Sequence, residues 1–165
     1  MILPKVRDPR LVTIRRGGTL TDADHHLLAR WAAECAEHVL PLFESARPDD
    51  PRPREAIAAI RAWTRGEITM WESRTAGGHA MGAARELRGS ARHAAYAAGQ
   101  AGVVAHVAEH DLGAAAYAIK AVRAASGEDA GIRERDWQRE RLPSAVRELV
   151  LEDQQRRNDI CWSVF

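Results

Sequence analysis

Apolar residues recur at intervals of three and four along most of this chain, and no stretch alternates apolar and polar residues for long enough to build a sheet. No Asn-Gly or Asp-Gly step is present to close a tight hairpin. A chain so patterned can bury its apolar stripes only by packing helix on helix. The pattern therefore predicts an all-α bundle of about six or seven helices, preceded by an extended N-terminal arm.

Residues 1–20 form the expected arm, in which Leu11, Val12 and Ile14 make one short extended segment before Gly17-Gly18. Residues 21–165 are expected to be one helical domain, with 126–165 a charged helical extension packed on the body. Thr21-Asp22-Ala23-Asp24 supplies an N-cap and an acidic first turn, both favourable to a helix start. Leu28, Trp31, Cys35, His38 or Val39, and Leu42 then share one stripe, with Pro41 near its exit. The proline- and aspartate-dense segment 47–53 must be a loop, and Pro53 suits the first turn of the next helix. That helix carries Ile57, Ile60 and Trp63 inward and ends at Gly66. A third places Ile68, Trp71, Thr75, Gly78 or His79, and Gly82 on one side, and Gly77, Gly78 and Gly82 point either to close helix contact or to a break.

From Ser90 onward, His93, Tyr96, Gln100, Val103, Val107 and His110 share a face, with an interruption expected at Asp111 or Gly113. Leu112, Ala115 or Ala116, Ile119 and Val122 carry the stripe to Ser126-Gly127. The alternating charges from Arg133 to Arg141 read as a solvated helix. Pro143 restarts the chain into a last helix with Val146, Leu149 or Val150, and Asp153. Ile160, Cys161, Trp162 and Phe165 form an apolar tail that docks on the body.

Charge and cysteine usage narrow the function classes. The 24 basic and 23 acidic residues leave a formal charge of +1, so no global field draws nucleic acid or an anionic membrane. The longest charge-free stretch, between Arg92 and Glu109, is too short and too rich in Gly, Gln and His to span a bilayer. No apolar run of signal-peptide length precedes Asp8, and Cys35 and Cys161 stand far apart with no second pair. A cytoplasmic protein without a cofactor is expected, with homodimerisation left open. Lys5, Arg7, Arg10, Arg15 and Arg16 make the arm basic against Asp8, and are expected to be solvated.

His106-Val-Ala-Glu109-His110 matches a zinc-binding pattern in which two histidines lie one helical turn apart. His106, Glu109 and His110 are the metal candidates if a metal is present, but no third ligand context follows. A di-metal carboxylate bundle needs paired Glu-x-x-His motifs, and these are missing. His38, His79, His93, His106 and His110 fall on inner stripes, where neutral hydrogen-bonded histidines are the simplest account. A polar pocket between helices would draw on His38, Arg54, Glu67, His79, His106 and His110. Cys35 near His38 has no oxyanion loop and reads as a core residue. No complete catalytic set emerges, so the chain is not expected to be an enzyme. The alternative is a metal- or small-ligand-dependent enzyme or sensor built on the inward histidines.

Four strings occur in order: Asp8-Pro-Arg-Leu-Val-Thr-Ile-Arg-Arg-Gly-Gly, Trp31-Ala-Ala-Glu-Cys-Ala-Glu-His38, Asp50-Pro-Arg-Pro-Arg-Glu-Ala, and His106-Val-Ala-Glu-His-Asp-Leu-Gly-Ala-Ala. Together they resemble the immunity-five-like family of bacterial immunity proteins, over Asp8 to about Ala125. The tail through Arg157-Asn-Asp-Ile-Cys-Trp is similar to one branch of it. The resemblance implies an all-helical protein that binds and neutralises a toxin of a polymorphic toxin system. It carries no catalytic residues over to this chain.

Overall fold

Thr21 starts the first helix as the sequence predicts, its side-chain oxygen accepting a hydrogen bond from the Asp24 N–H at 3.1 Å. The computed structural model describes residues 2–165, so Met1 of the arm lies outside the described residues. Among the described residues seven α-helices follow one another: α1 (Asp22–Glu44), α2 (Arg52–Thr64), α3 (Met70–Ala83), α4 (Gly89–Val103), α5 (Asp111–Ser126), α6 (Glu128–Glu140) and α7 (Ser144–Arg157). They make an all-helical bundle with no named strand among the described residues. Pro41 is accommodated inside the last turn of α1, Pro53 in the first turn of α2, and Gly66 turns the chain out of α2 at φ +73°.

The bundle is organised around α4, which packs against α1, α2, α3 and α5. Ala91, Ala94, Ala95, Ala97, Ala98, Gly99, Ala101 and Gly102 keep it thin enough to be surrounded, and all are buried. α3 begins with a reciprocal capping box between Thr69 and Glu72 and runs unbroken through its glycines. Its buried face is Ser73, Gly77, Ala80 and Ala83, which corrects the predicted stripe of Ile68, Trp71, Thr75 and His79. The reason is steric. A Cβ on Gly77 would stand 2.7 Å from the Gly99 carbonyl oxygen, and one on Gly102 would stand 2.8 Å from the Gly77 Cα. Only the face of smallest residues can meet α4 this closely, so the bulky side chains are turned outward.

The interruption expected at Asp111 or Gly113 comes earlier. α4 stops at Val103, residues 104–107 form a turn, and Ala108–His110 make a 3-10 turn that enters α5. The alternating-charge segment is likewise only half solvated. α6 buries Ala130, Gly131, Glu134 and Gln138. There the Gln138 amide donates to the Ala115 carbonyl at 3.2 Å and to Glu134 at 2.9 Å, while the Trp31 indole donates to the Gln138 carbonyl at 2.9 Å. The tail docks as expected through Cys161 and Val164, but leaves Trp162 partly exposed.

The arm also departs from the expected single extended segment and from the reading of its charges as merely solvated. It forms two 3-10 turns, Pro9–Leu11 and Ile14–Arg16, with one parallel bridge between Thr13 and Leu20. Ile2, Asp8, Leu11 and Leu20 are buried. Several of its basic residues are structural partners of the bundle, as described next.

Candidate functional site

The segment that joins α4 to α5 carries two buried carboxylates, Glu109 and Asp111. Glu109, fully buried, receives Arg7 from the arm through two guanidinium nitrogens, one of them Nε at 2.8 Å from Oε1. Arg157, at the end of α7, is 1% exposed. Its guanidinium donates to Asp153 Oδ2 at 2.9 and 2.5 Å, to the Ile2 carbonyl at 3.1 Å and to the Glu109 carbonyl at 3.0 Å. The Asp111 carboxylate lies 3.5 Å from the same guanidinium, accepts from the Leu112 N–H at 2.5 Å, and has no partner for Oδ2. One guanidinium thus serves two buried carboxylates, and Asp153 holds the better geometry. Burial pushes the Asp111 carboxyl up to about 7, against the pull of Arg157. Farther out, Asp8 accepts from Arg10 and from Arg156 at 2.7 Å. Chiefly through the Arg10 hydrogen bonds, its carboxyl is held down at about 2. This clasp joins the arm, the α4–α5 segment and α7.

Beside the clasp, the surface opens. A cleft of about 390 Å³ is lined by Arg74, Thr75, Gly78 and Met81 of α3 and by Val103, His106 and His110. A second hollow of about 360 Å³ shares Thr75 and adds Trp71, Glu72, Ala76 and His79. His110 turns Nδ1 to donate to the Gln100 side-chain oxygen at 2.7 Å, and burial lowers its pKa to about 4. His106 sits at the rim, 5.8 Å from the Trp71 ring between centroids. Its pKa is lowered by burial and then by the nearby cations Arg16, Arg74 and Arg7.

Of the sequence candidates, the structure brings His106 and His110 together in one cleft and puts His79 in the adjoining hollow. The others lie apart, and the inward phase assigned to His38 and His79 is corrected, because both are exposed. His38 stacks on Trp137 at 3.7 Å, and its Nδ1 is 2.7 Å from the buried Glu134 carboxylate. Arg54 pairs with Glu44 at 2.7 Å, and Glu67 pairs with Arg65 at 2.7 Å on the surface. His106 and His110 are not on one helix, so the helical chelate geometry of the zinc pattern is absent, and Arg7 occupies both oxygens of Glu109. Among the described residues, no three His, Cys, Asp or Glu side chains are grouped to hold a metal ion.

Sequence reasoning missed His25. It is the most buried histidine, its Nε2 donating to the Val104 carbonyl at 2.8 Å and its ring edge-on to Trp63. Its position three residues before Leu28, on the α1 stripe, was the available signal.

An all-helical bundle closed by a charged clasp, with a cationic aromatic cleft beside it, defines a class of protein by shape but not by chemistry. The comparison of families is specific: the model described as Imm-5 like putative immunity protein matches residues 18–145. The chain belongs to this Imm-5 like family. The matched span runs from the end of the arm through α6 into the start of α7 and includes Glu109 and Asp111, while their partners Arg7 and Arg157 lie outside it. No curated protein and no solved structure matches the chain. No helix among the described residues is long and apolar enough to cross a membrane.

Proposed function

We propose that this chain is an immunity protein that binds a cognate bacterial toxin and neutralises it by occupancy rather than by catalysis. The observation that carries this is the family match across residues 18–145, which takes in the six helices α1–α6. A binding role needs a rigid scaffold that presents a fixed surface, and a bundle with a close-packed small-residue centre and a clasped pair of chain ends meets that need. Both cysteines are buried free thiols whose pKa values burial raises, so neither is primed for nucleophilic work. We place the protein in the cytoplasm, where free thiols persist and where a self-directed toxin is to be intercepted.

Co-expression with the toxin-like product of the reading frame adjacent to this gene is the decisive experiment. Growth restored by the immunity chain, together with copurification of the two proteins, is the expected result. A toxin that stays equally lethal and does not copurify overturns the proposal.

A further inference from the structure

We infer that the face formed by Trp71, Arg74, His106 and Arg16 is the toxin-docking surface, and that the toxin meets it with an acidic patch. The inference deepens the immunity reading and rests on it. Trp71 is a large apolar side chain left 58% exposed on a helix whose other face is filled by small residues. Arg74 lies over its ring, with the guanidinium carbon 5.2 Å from the centroid. The His106 ring lies tilted by 33° beside the Trp71 ring, and Arg16 reaches His106 from the arm, donating to its carbonyl at 3.2 Å.

Neither Arg74 nor Arg16 forms an ion pair among the described residues. Of the nearby carboxylates, Glu109 is buried and paired with Arg7, while Glu72 caps α3 through the neutral Thr69 N–H and hydroxyl and keeps its negative charge. Arg74 and Arg16 against Glu72 leave the patch with a net positive charge, although the chain as a whole is nearly neutral. The arm stretches that deliver Arg7 and Arg16 also carry two of the most exposed apolar residues, Val6 at 84% and Ile14 at 63%.

Exposed Trp and Arg are the residue types that concentrate binding energy at protein interfaces, and free cations around an apolar anchor select an oppositely charged partner. The hollows of about 390 and 360 Å³ on either side of Thr75 give the face relief for side chains of that partner. A protein partner is favoured over nucleic acid because Trp71 is a single stacking surface, and a strand-binding groove needs successive aromatics along a continuous basic track.

The test measures affinity of the full chain for the purified toxin product of the adjacent frame. The variants are Trp71→Ala/Arg74→Glu, which leaves the arm untouched, the same pair with Arg16→Glu, and Arg133→Glu at an exposed position of α6 as a control. Unchanged circular dichroism and Tm establish that each variant is folded. The expected result is an affinity loss of about 100-fold for the triple variant, a smaller loss for the double one and none for the control. Wild-type association is also expected to slow as salt is raised. An acidic-to-basic reversal on the toxin should restore binding to the Arg74→Glu chain. A toxin bound equally well by wild type and triple variant overturns this surface while leaving the immunity reading intact. A toxin not bound by wild type overturns both. A short single-stranded DNA oligonucleotide that binds wild type and not the triple variant, with toxin affinity unchanged, makes the face a nucleic-acid site and also overturns the assignment.

Discussion

The contact between α3 and α4 and the clasp between the chain ends hold the same bundle by opposite means. At the first, Gly77, Gly99 and Gly102 let two backbones touch, and Ser73 adds one neutral hydrogen bond, its hydroxyl donating to the Gly102 carbonyl at 2.8 Å. At the second, charged side chains from three separated stretches of chain, the arm, the α4–α5 segment and α7, converge on Arg157 and Glu109. Close packing of small residues stabilises through dispersion and tolerates no added volume. A buried charge cluster tolerates no missing member, because any partner left behind is an uncompensated charge in a poorly solvated place. The two regions should therefore fail under different perturbations.

The largest effect is expected at the clasp. Arg157→Met should cost about 3–5 kcal/mol in chemical denaturation, since Asp153 Oδ2 loses both of its hydrogen bonds, leaving only Arg156 on Oδ1, and the Ile2 and Glu109 carbonyls lose their donor. Converting the carboxylates as well, in Arg157→Met/Asp153→Leu/Asp111→Asn, should recover most of that loss. A triple variant no more stable than the single one would mean that the lost carbonyl donors, not uncompensated charge, set the cost, and the contrast between the two regions would weaken.

The next effect separates them by pH, because the clasp and its neighbour titrate in opposing directions. Asp111 has a folded pKa of about 7 against 3.8 in the unfolded chain, so the folded state holds the extra proton between those values. Its contribution to stability is complete below about pH 3.8 and is lost as pH rises through 7. His110 has a folded pKa of about 4 against 6.5, so the unfolded chain takes the proton first, and stability is lost as pH falls from 6.5 toward 4. Relative to wild type, Asp111→Asn should make stability climb more steeply from pH 4 to 7, and His110→Gln should make it climb less steeply. Across the window the change amounts to up to about 4 kcal/mol for Asp111 and about 3 kcal/mol for His110. Urea melts at several pH values decide it, and parallel curves for all three proteins would remove the assignment of these groups.

The helices were legible in the sequence because their punctuation is local: the Thr21 cap, the proline loop at 47–53, Gly66, Ser126-Gly127 and Pro143 each act within a few residues. The inner face of α3 was not. Hydrophobicity alone favours Trp71 inward, and only the thinness of α4 reverses that preference. His106-x-x-Glu109-His110 misled for a related reason, since its spacing carries chelating meaning only on a continuous helix, and the turn at 104–107 breaks it. The clasp was invisible because its members are separated by as much as 155 positions, and an arginine says nothing by itself about burial. The cleft at His106 and His110 was half seen, by naming two of its residues among four that lie elsewhere.

Adjacent glycines of α3 give the smallest and sharpest comparison. Gly77 and Gly78 look equivalent in the sequence, yet a Cβ on Gly78 would meet nothing within 4 Å, whereas one on Gly77 would stand 2.7 Å from the Gly99 carbonyl oxygen and 2.9 Å from Val103. Across the contact, a Cβ on Gly102 would face Gly77 backbone atoms at 2.8 and 3.0 Å, and backbone cannot step aside as a side-chain tip can. Gly102→Ala should therefore cost about 1–3 kcal/mol as the two helices are forced apart. Gly78→Ala should gain about 0.5–1 kcal/mol by restricting the unfolded chain at an open helical position. Paired denaturation curves read both signs at once. If the two alanines shifted stability in the same direction, the close backbone contact would not be what fixes the face of α3, and the outward placement of Trp71 would need another cause.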